Sequence, residues 1–308
     1  MMKTKEITRV RKSIGEKVFT VFNVLIMVIL CVVTLYPYIN QLAVSFNDGK
    51  DTLFGGITIF PRKFTWVNYI TVFSNSGFTN SLIISVLRVV VGTALGLILI
   101  TGAAYAVTKK DLPGKNIVIS FLIVPTFISS GLIPVLILYK YLHLMNNFLV
   151  YILPAAFGFF YMIIIRTYMQ SIPSSLQESA IIDGANEVQI LLKIMLPLSM
   201  PVMATVALWL GVSHWNDWVS PLYFVTKKNL YPLQYIMYKV VKEAELLNEL
   251  ASMSIMSSEN SGNINAVKVT PESVKAATII VATLPIVMLY PFLQKYFIKG
   301  VMIGAIKE

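Results

Sequence analysis

Long apolar runs alternate with short polar breaks along the whole chain. The apolar runs occupy residues 18–44, 80–108, 116–139, 148–169, 195–222 and 275–297. Each has roughly the 20 residues that a helix needs to cross the hydrocarbon of a bilayer. In lipid, every backbone N–H and C=O must be satisfied within the spanning structure, which for runs of this length means helices. The pattern predicts an all-α membrane protein of six transmembrane helices. The second run carries Gly92, Gly96 and Gly102, and Gly92-x-x-x-Gly96 has the spacing that lets helices approach closely. The third run is interrupted by Pro125, Gly131 and Pro134, and the sixth by Pro285 and Pro291. Broken helices at membrane depth are tolerated where they line a cavity.

The polar breaks set the orientation. Residues 1–17 hold Lys3, Lys5, Arg9, Arg11, Lys12 and Lys17, the break after the second run holds Lys109, Lys110 and Lys115, and Lys295, Lys299 and Lys307 close the chain. Basic short loops stay on the cytoplasmic side, so both termini are expected to be cytoplasmic, with 299–308 as a tail. The run 18–44 is too long for a secretory signal and ends in no small-residue cleavage site, so it is expected to persist as the first span. Residues 45–79 read as a polar outside loop with Trp66 and Tyr69 as interface anchors. Residues 223–274 form the longest outside loop, in which 232–253 suit an amphipathic surface helix and 254–267, rich in Ser and Asn, a flexible stretch.

Residues 174–201 break the pattern, being too polar for lipid and too ordered for a plain loop. Ser175-Leu176-Gln177-Glu178 has the form of a capping box, so a helix is expected to start there. Asp183-Gly184 should end it, because glycine accepts the left-handed backbone that closes a helix. A second short helix follows, with Val188, Leu191, Leu192 and Met195 expected on one face, before Pro197 and Pro201 enter the fifth span.

Within this segment Glu178-Ser179-Ala180, Asp183-Gly184-Ala185, Ile194 and Leu196-Pro197 resemble the EAA signature of permease subunits of ABC importers, with Ser179 where that family usually has alanine. The resemblance implies the type I ABC importer permease fold. It also implies that 174–195 is a coupling element, in which Glu178, Ser179, Ala180, Asp183, Gly184, Ala185 and Asn186 dock into a cytoplasmic ABC ATPase dimer. A homologous second permease subunit in a heterodimer, an extracellular solute-binding protein and a bacterial cell-membrane location are implied in the same way. In that family 254–265 would reach into the binding protein, and the tail from Gly300 to Glu308 toward the ATPase.

Composition agrees with a membrane protein and narrows the chemistry. Apolar residues make up 56 % and charged ones only 13 %, against about a quarter charged in soluble domains. The net charge of +10 is read as lysine and arginine beside the membrane rather than as a nucleic-acid surface. Cys31 is the only cysteine, and His143 and His214 are isolated, so neither a disulfide nor a metal cluster is expected. Gly114-Lys115 lacks the upstream glycine of a P-loop. The chain is therefore expected to be no enzyme and to bind no cofactor itself, ATP and Mg being used by the partner ATPase.

The most polar part of the fifth span is WLGVSHWNDWVSP, from Trp209 to Pro221. It collects Trp209, His214, Trp215, Asn216, Asp217 and Trp218, and aromatic faces with amide and carboxylate groups suit the apolar ring faces and hydroxyls of sugars. Trp215-Asn216-Asp217-Trp218 with Pro221 resembles the corresponding pattern of maltose-type sugar permeases. Asp217 is the acid most expected to be functional, and Arg88 in the second span should face protein or a cavity and pair with a carboxylate or carbonyls. The reading is a permease subunit of an ATP-driven oligosaccharide importer that forms half of the translocation pathway. The alternative is an ion- or proton-coupled secondary transporter, for which Asp217 would be the one clear acid in a span.

Overall fold

The computed structural model of the protein describes residues 13–74, 77–109, 111–128, 130–255 and 269–305. Most of the expected basic N-terminus, residues 256–265 of the expected loop tip and residues 306–308 of the expected tail lie outside them. The helices are α1 (Ile14–Ser45), α2 (Gly49–Leu53), α3 (Val67–Ser74), α4 (Phe78–Thr108), α5 (Lys115–Ile123), α6 (Leu132–Tyr141), α7 (Phe159–Gln170), α8 (Ser174–Ile182), α9 (Glu187–Ile190), α10 (Leu196–Asn216), α11 (Val219–Phe224), α12 (Leu233–Ile255) and α13 (Pro271–Ala305).

Among the described residues, four helical stretches are long and apolar enough to cross a membrane: α1, α4, the continuous stretch Glu187–Asn216 and the first part of α13. The expected third span is a bent pair, Lys115–Phe127 and Leu132–Tyr141, which meet at 120° and make a fifth candidate. Gly131 sits at this break with φ +77°, a backbone that glycine adopts freely.

The fourth expected span differs most. Residues 148–169 are not one helix: Phe148–Tyr151 is a 3-10 turn capped by the Asn147 side chain on the Leu149 N–H (3.0 Å), and α7 begins only at Phe159, after Pro154 and Gly158. The run is apolar throughout, but its backbone carries a cap, a proline and a glycine that restart the helix. The fifth expected span, 195–222, also shifts. Its helix starts upstream at Glu187, stops at Asn216, and resumes as α11. Leu191–Met195 is a π turn. Pro197 follows it, and a proline both lacks an N–H and crowds the carbonyl four residues back, so the wider turn relieves the helix there. In the expected tail, helix α13 continues to Ala305.

Two compact units are distinguished, Met1–Tyr69 with Asn260–Ile280, and Ile70–Glu259 with Val281–Glu308. In the first, α1 leaves nearly all its apolar side chains exposed, as a surface meant for lipid or another helix would. The segment after it folds on itself. Buried Asn47 accepts the Arg62 and Lys63 N–H groups (2.8 and 2.9 Å), and Asp51 pairs with Arg62 at 2.8 Å. Trp66 and Tyr69, expected as anchors, pack with Phe46 and Phe64 in one aromatic cluster.

The second unit is organised around α4. Gly92 and Gly96 let α10 close in, with Gly92 directly under the His214 ring and Gly96 under Leu210. Gly102 has open space around it and takes no part. One core joins α4, α7, α8, α9 and α10 through Ile100, Met162, Ile165, Ala180, Ile190, Met195 and Val206.

Candidate functional site

Two sites emerge from the second unit, near opposite ends of α4. The first is the break after α10. Its consecutive side chains are handed to different neighbours. His214 is buried against Gly92 of α4. Trp215 donates its indole N–H to the Ala282 carbonyl of α13 at 3.1 Å. Asn216 accepts a hydrogen bond from Gln234 of α12 at 2.9 Å. Trp218 stacks on Tyr238 of α12, with ring centroids 4.4 Å apart and planes 13° from parallel.

Asp217 is the centre of this arrangement. Its carboxylate pairs with Arg88, whose second nitrogen donates to the Asp217 carbonyl at 2.9 Å. The other carboxylate oxygen accepts the N–H groups of Val219 and Ser220 (3.0 and 2.9 Å), fixing the first turn of α11. Arg88 is 1 % exposed and lies over the Tyr151 ring at 4.4 Å. The Tyr151 hydroxyl in turn donates to the Leu230 carbonyl at 2.8 Å. The carboxylate that Arg88 called for is therefore Asp217 itself, and the one span acid on which an ion-coupled carrier would rest is committed to this pair. Trp209 is not part of the cluster; it faces α7 and packs on Phe160 and Tyr161. An apolar cavity of about 510 Å³ opens between α4, α10 and α13, lined by Thr93, Gly211, Trp215 and Pro285 among others.

The second site is the bend 174–190. Helix α8 ends at Asp183, Gly184 turns the chain at φ +81°, and α9 starts at Asn186. The capping box expected at Ser175 to Glu178 is not formed, because the helix begins two residues earlier than such a box requires, with Pro173 at its cap. The box is made instead by Asn186 and Gln189, each side chain bonded to the other's N–H (2.9 and 3.0 Å). Ala180 and Ile190 bury the bend against the core, while Leu176, Ile181, Ile182 and Val188 are exposed, Ile182 at 85 %. Val188 and Leu192, expected to share a packed face with Leu191 and Met195, point outward, and Ile190 takes the buried place beside Met195. Glu178, Ser179, Asp183, Gly184 and Asn186 are exposed, and Ala185 is half-buried.

A clasp at the end of α4 holds the bend. Lys109 pairs with Glu187 at 2.7 Å and donates to Gln177 at 3.1 Å, and Tyr105 donates to the same Glu187 carboxylate. Burial alone would push the Lys109 ammonium down, but its bonds to Glu187 and Tyr105 hold it above its usual value. Sequence reading took Lys109 only as a marker of orientation, and nothing local in the sequence couples it to residues some 70 positions away.

Comparison with known proteins decides the family. The family described as binding-protein-dependent transport system inner membrane component matches residues 92–303. The chain belongs to that family. The permease is 35 % identical to Protein LplC of Bacillus subtilis (strain 168), over 98 % of this chain and 99 % of that one. It is 33 % identical to the polygalacturonan/rhamnogalacturonan transport system permease protein YtcP of the same organism, over 92 % of this chain and 95 % of that one. Its structure resembles a chain of a bacterial ABC transporter involved in the import of the acidic polysaccharide alginate, with TM-score 0.81 and 27 % identity, over 93 % of this chain and 99 % of that one. The all-α importer permease fold read from the sequence is thereby established, and the permease is a transport component.

Proposed function

We propose that the permease is one of two homologous membrane subunits of an ATP-driven importer of acidic oligosaccharides in a bacterial cell membrane. A solute-binding protein delivers the sugar from outside, and a cytoplasmic ATPase dimer, which binds ATP and Mg, drives the cycle. Six crossings, the fourth made by the broken segment that ends in α7, leave both termini on one side, and the basic breaks make that side the cytoplasm.

One observation carries the motor-docking part: the bend 174–190 leaves Leu176, Ile181, Ile182 and Val188 uncovered around the Gly184 turn. A compact apolar surface on a segment with exposed acidic and amide groups supports a protein cover. The acidic substrate class rests on the relatives, of which one carries polygalacturonan or rhamnogalacturonan and another alginate. Of the residues along the proposed path, Trp209, Asn216 and Trp218 keep exposed faces and contact sugar, while His214, Trp215 and Asp217 hold its wall in shape. The deciding experiment is an uptake screen of uronate against neutral oligosaccharides, run beside ATPase co-purification with Glu178→Arg. Uptake of neutral sugars alone would overturn the substrate class, and undiminished ATPase recovery would overturn the docking role.

A further inference from the structure

The bend has a weak point of its own. Gly184 has left-handed φ with open space around it; α9 continues without a gap into α10, whereas α8 is held to the core chiefly by Ala180. A force applied to such a hinge would open or close the hinge before it moved anything behind it. One side chain bridges both arms. The Lys109 ammonium reaches Gln177 on α8 and Glu187 on α9 at once, lies 4.6 Å over the Tyr105 ring, and its backbone carbonyl accepts from Lys115 at 3.1 Å. Tyr105 supplies a second bond to Glu187 from one turn back along α4. The bridging residue thus directly follows the end of α4, which runs unbroken and without proline from Phe78 to Thr108. About 30 Å along that helix, at about 1.5 Å per residue, Arg88 grips the break at Asp217.

We propose that Lys109 is a positioning residue for energy coupling: it locks the two arms of the bend into one body with α4, so that displacement of the bend reaches the α10–α11 break through Arg88. This rests on the reading of 174–195 as the ATPase-facing element. The effect of the ion pair is to remove the freedom of Gly184 that would otherwise dissipate the stroke, and a rigid element with a tie at each end is what such transmission needs.

The test uses the whole importer in proteoliposomes, with the second permease, ATPase and binding protein, and reads sugar delivered per ATP hydrolysed. Lys109→Met should keep the ATPase bound and hydrolysing while delivery per ATP falls about tenfold, and Lys109→Arg should retain delivery. Glu187→Gln, which keeps size and hydrogen bonding, should show the same uncoupling and decides the matter if Lys109→Met fails to assemble. In a Cys31→Ser background, the pair Lys109→Cys and Glu187→Cys should be uncoupled as free thiols and recoupled by a short bifunctional thiol reagent. A normal delivery ratio in Glu187→Gln, or a cross-linked pair that stays uncoupled, overturns the proposal. Ile182→Asp separates the two readings. If it leaves the ATPase bound, the docking role of the bend fails; if it strips the ATPase while the clasp variants keep their delivery ratio, only the Lys109 proposal fails.

Discussion

At the α10–α11 break, Arg88 and His214 are buried and Asp217, Trp215, Asn216 and Trp218 are each bonded or stacked to a neighbouring element. At the bend 174–190, the large apolar side chains other than Ile190 stand open and the polar ones face outward, apart from the ties to Lys109. Both stretches carry the chemistry that sequence reading singled out, yet they use it in opposite ways. The break spends its polar groups on holding its own geometry. The bend leaves its surface uncovered. A residue of unusual character inside a span is therefore not by itself a ligand contact, and an ordinary isoleucine outside one can matter more to transport.

Stability and function should separate along the same line. The largest loss is expected from Arg88→Met, which strands the Asp217 carboxylate in a mostly buried site at a cost of about 3 kcal/mol, seen as a lower melting temperature in detergent. A methyl group in Gly92→Ala would run into the His214 ring, and overpacking of this kind costs about 1 to 3 kcal/mol. At the bend, Asn186→Ala removes a helix cap and should cost about 1 kcal/mol. Ile182→Asp should change stability by no more than about 0.5 kcal/mol while abolishing ATPase co-purification. Equal melting shifts for Arg88→Met and Ile182→Asp would erase the contrast. The smallest effect concerns pH. Because Lys109 is held above its ordinary value of 10.5 and its partner Glu187 below the usual carboxylate range by the bonds from Lys109 and Tyr105, their tie is complete between those limits and is lost as pH rises through the raised value or falls through the lowered one. Delivery per ATP should therefore show no alkaline limb from this group near neutrality.

Much of this was legible in the amino-acid order. The runs at α1 and α4 announce themselves, since length and hydropathy are sufficient for a straight span. The turn at Gly184 was readable because only glycine takes its backbone at no steric cost. What stayed hidden was set by backbone detail or by distance. The run 148–169 is as apolar as a span, but hydropathy does not register the Asn147 cap and Pro154 that divide it. Val188 and Leu192 look like core residues, but the register set by the Asn186–Gln189 box puts Ile190 inside. Arg88 and Asp217, or Lys109 and Glu187, are brought together only by the folding of α4 against α10 and the bend. The aromatic and amide partners from α12, Tyr238 and Gln234, were invisible because that helix was read as a surface element.

The break after α10 has one more consequence. A single residue inserted directly after His214 would turn Trp215 and Asn216 by about 100°, and their ties to α13 and α12 would be misdelivered together. This stretch is consequently intolerant of any change in length. Variation there is confined to exchanging side chains in place.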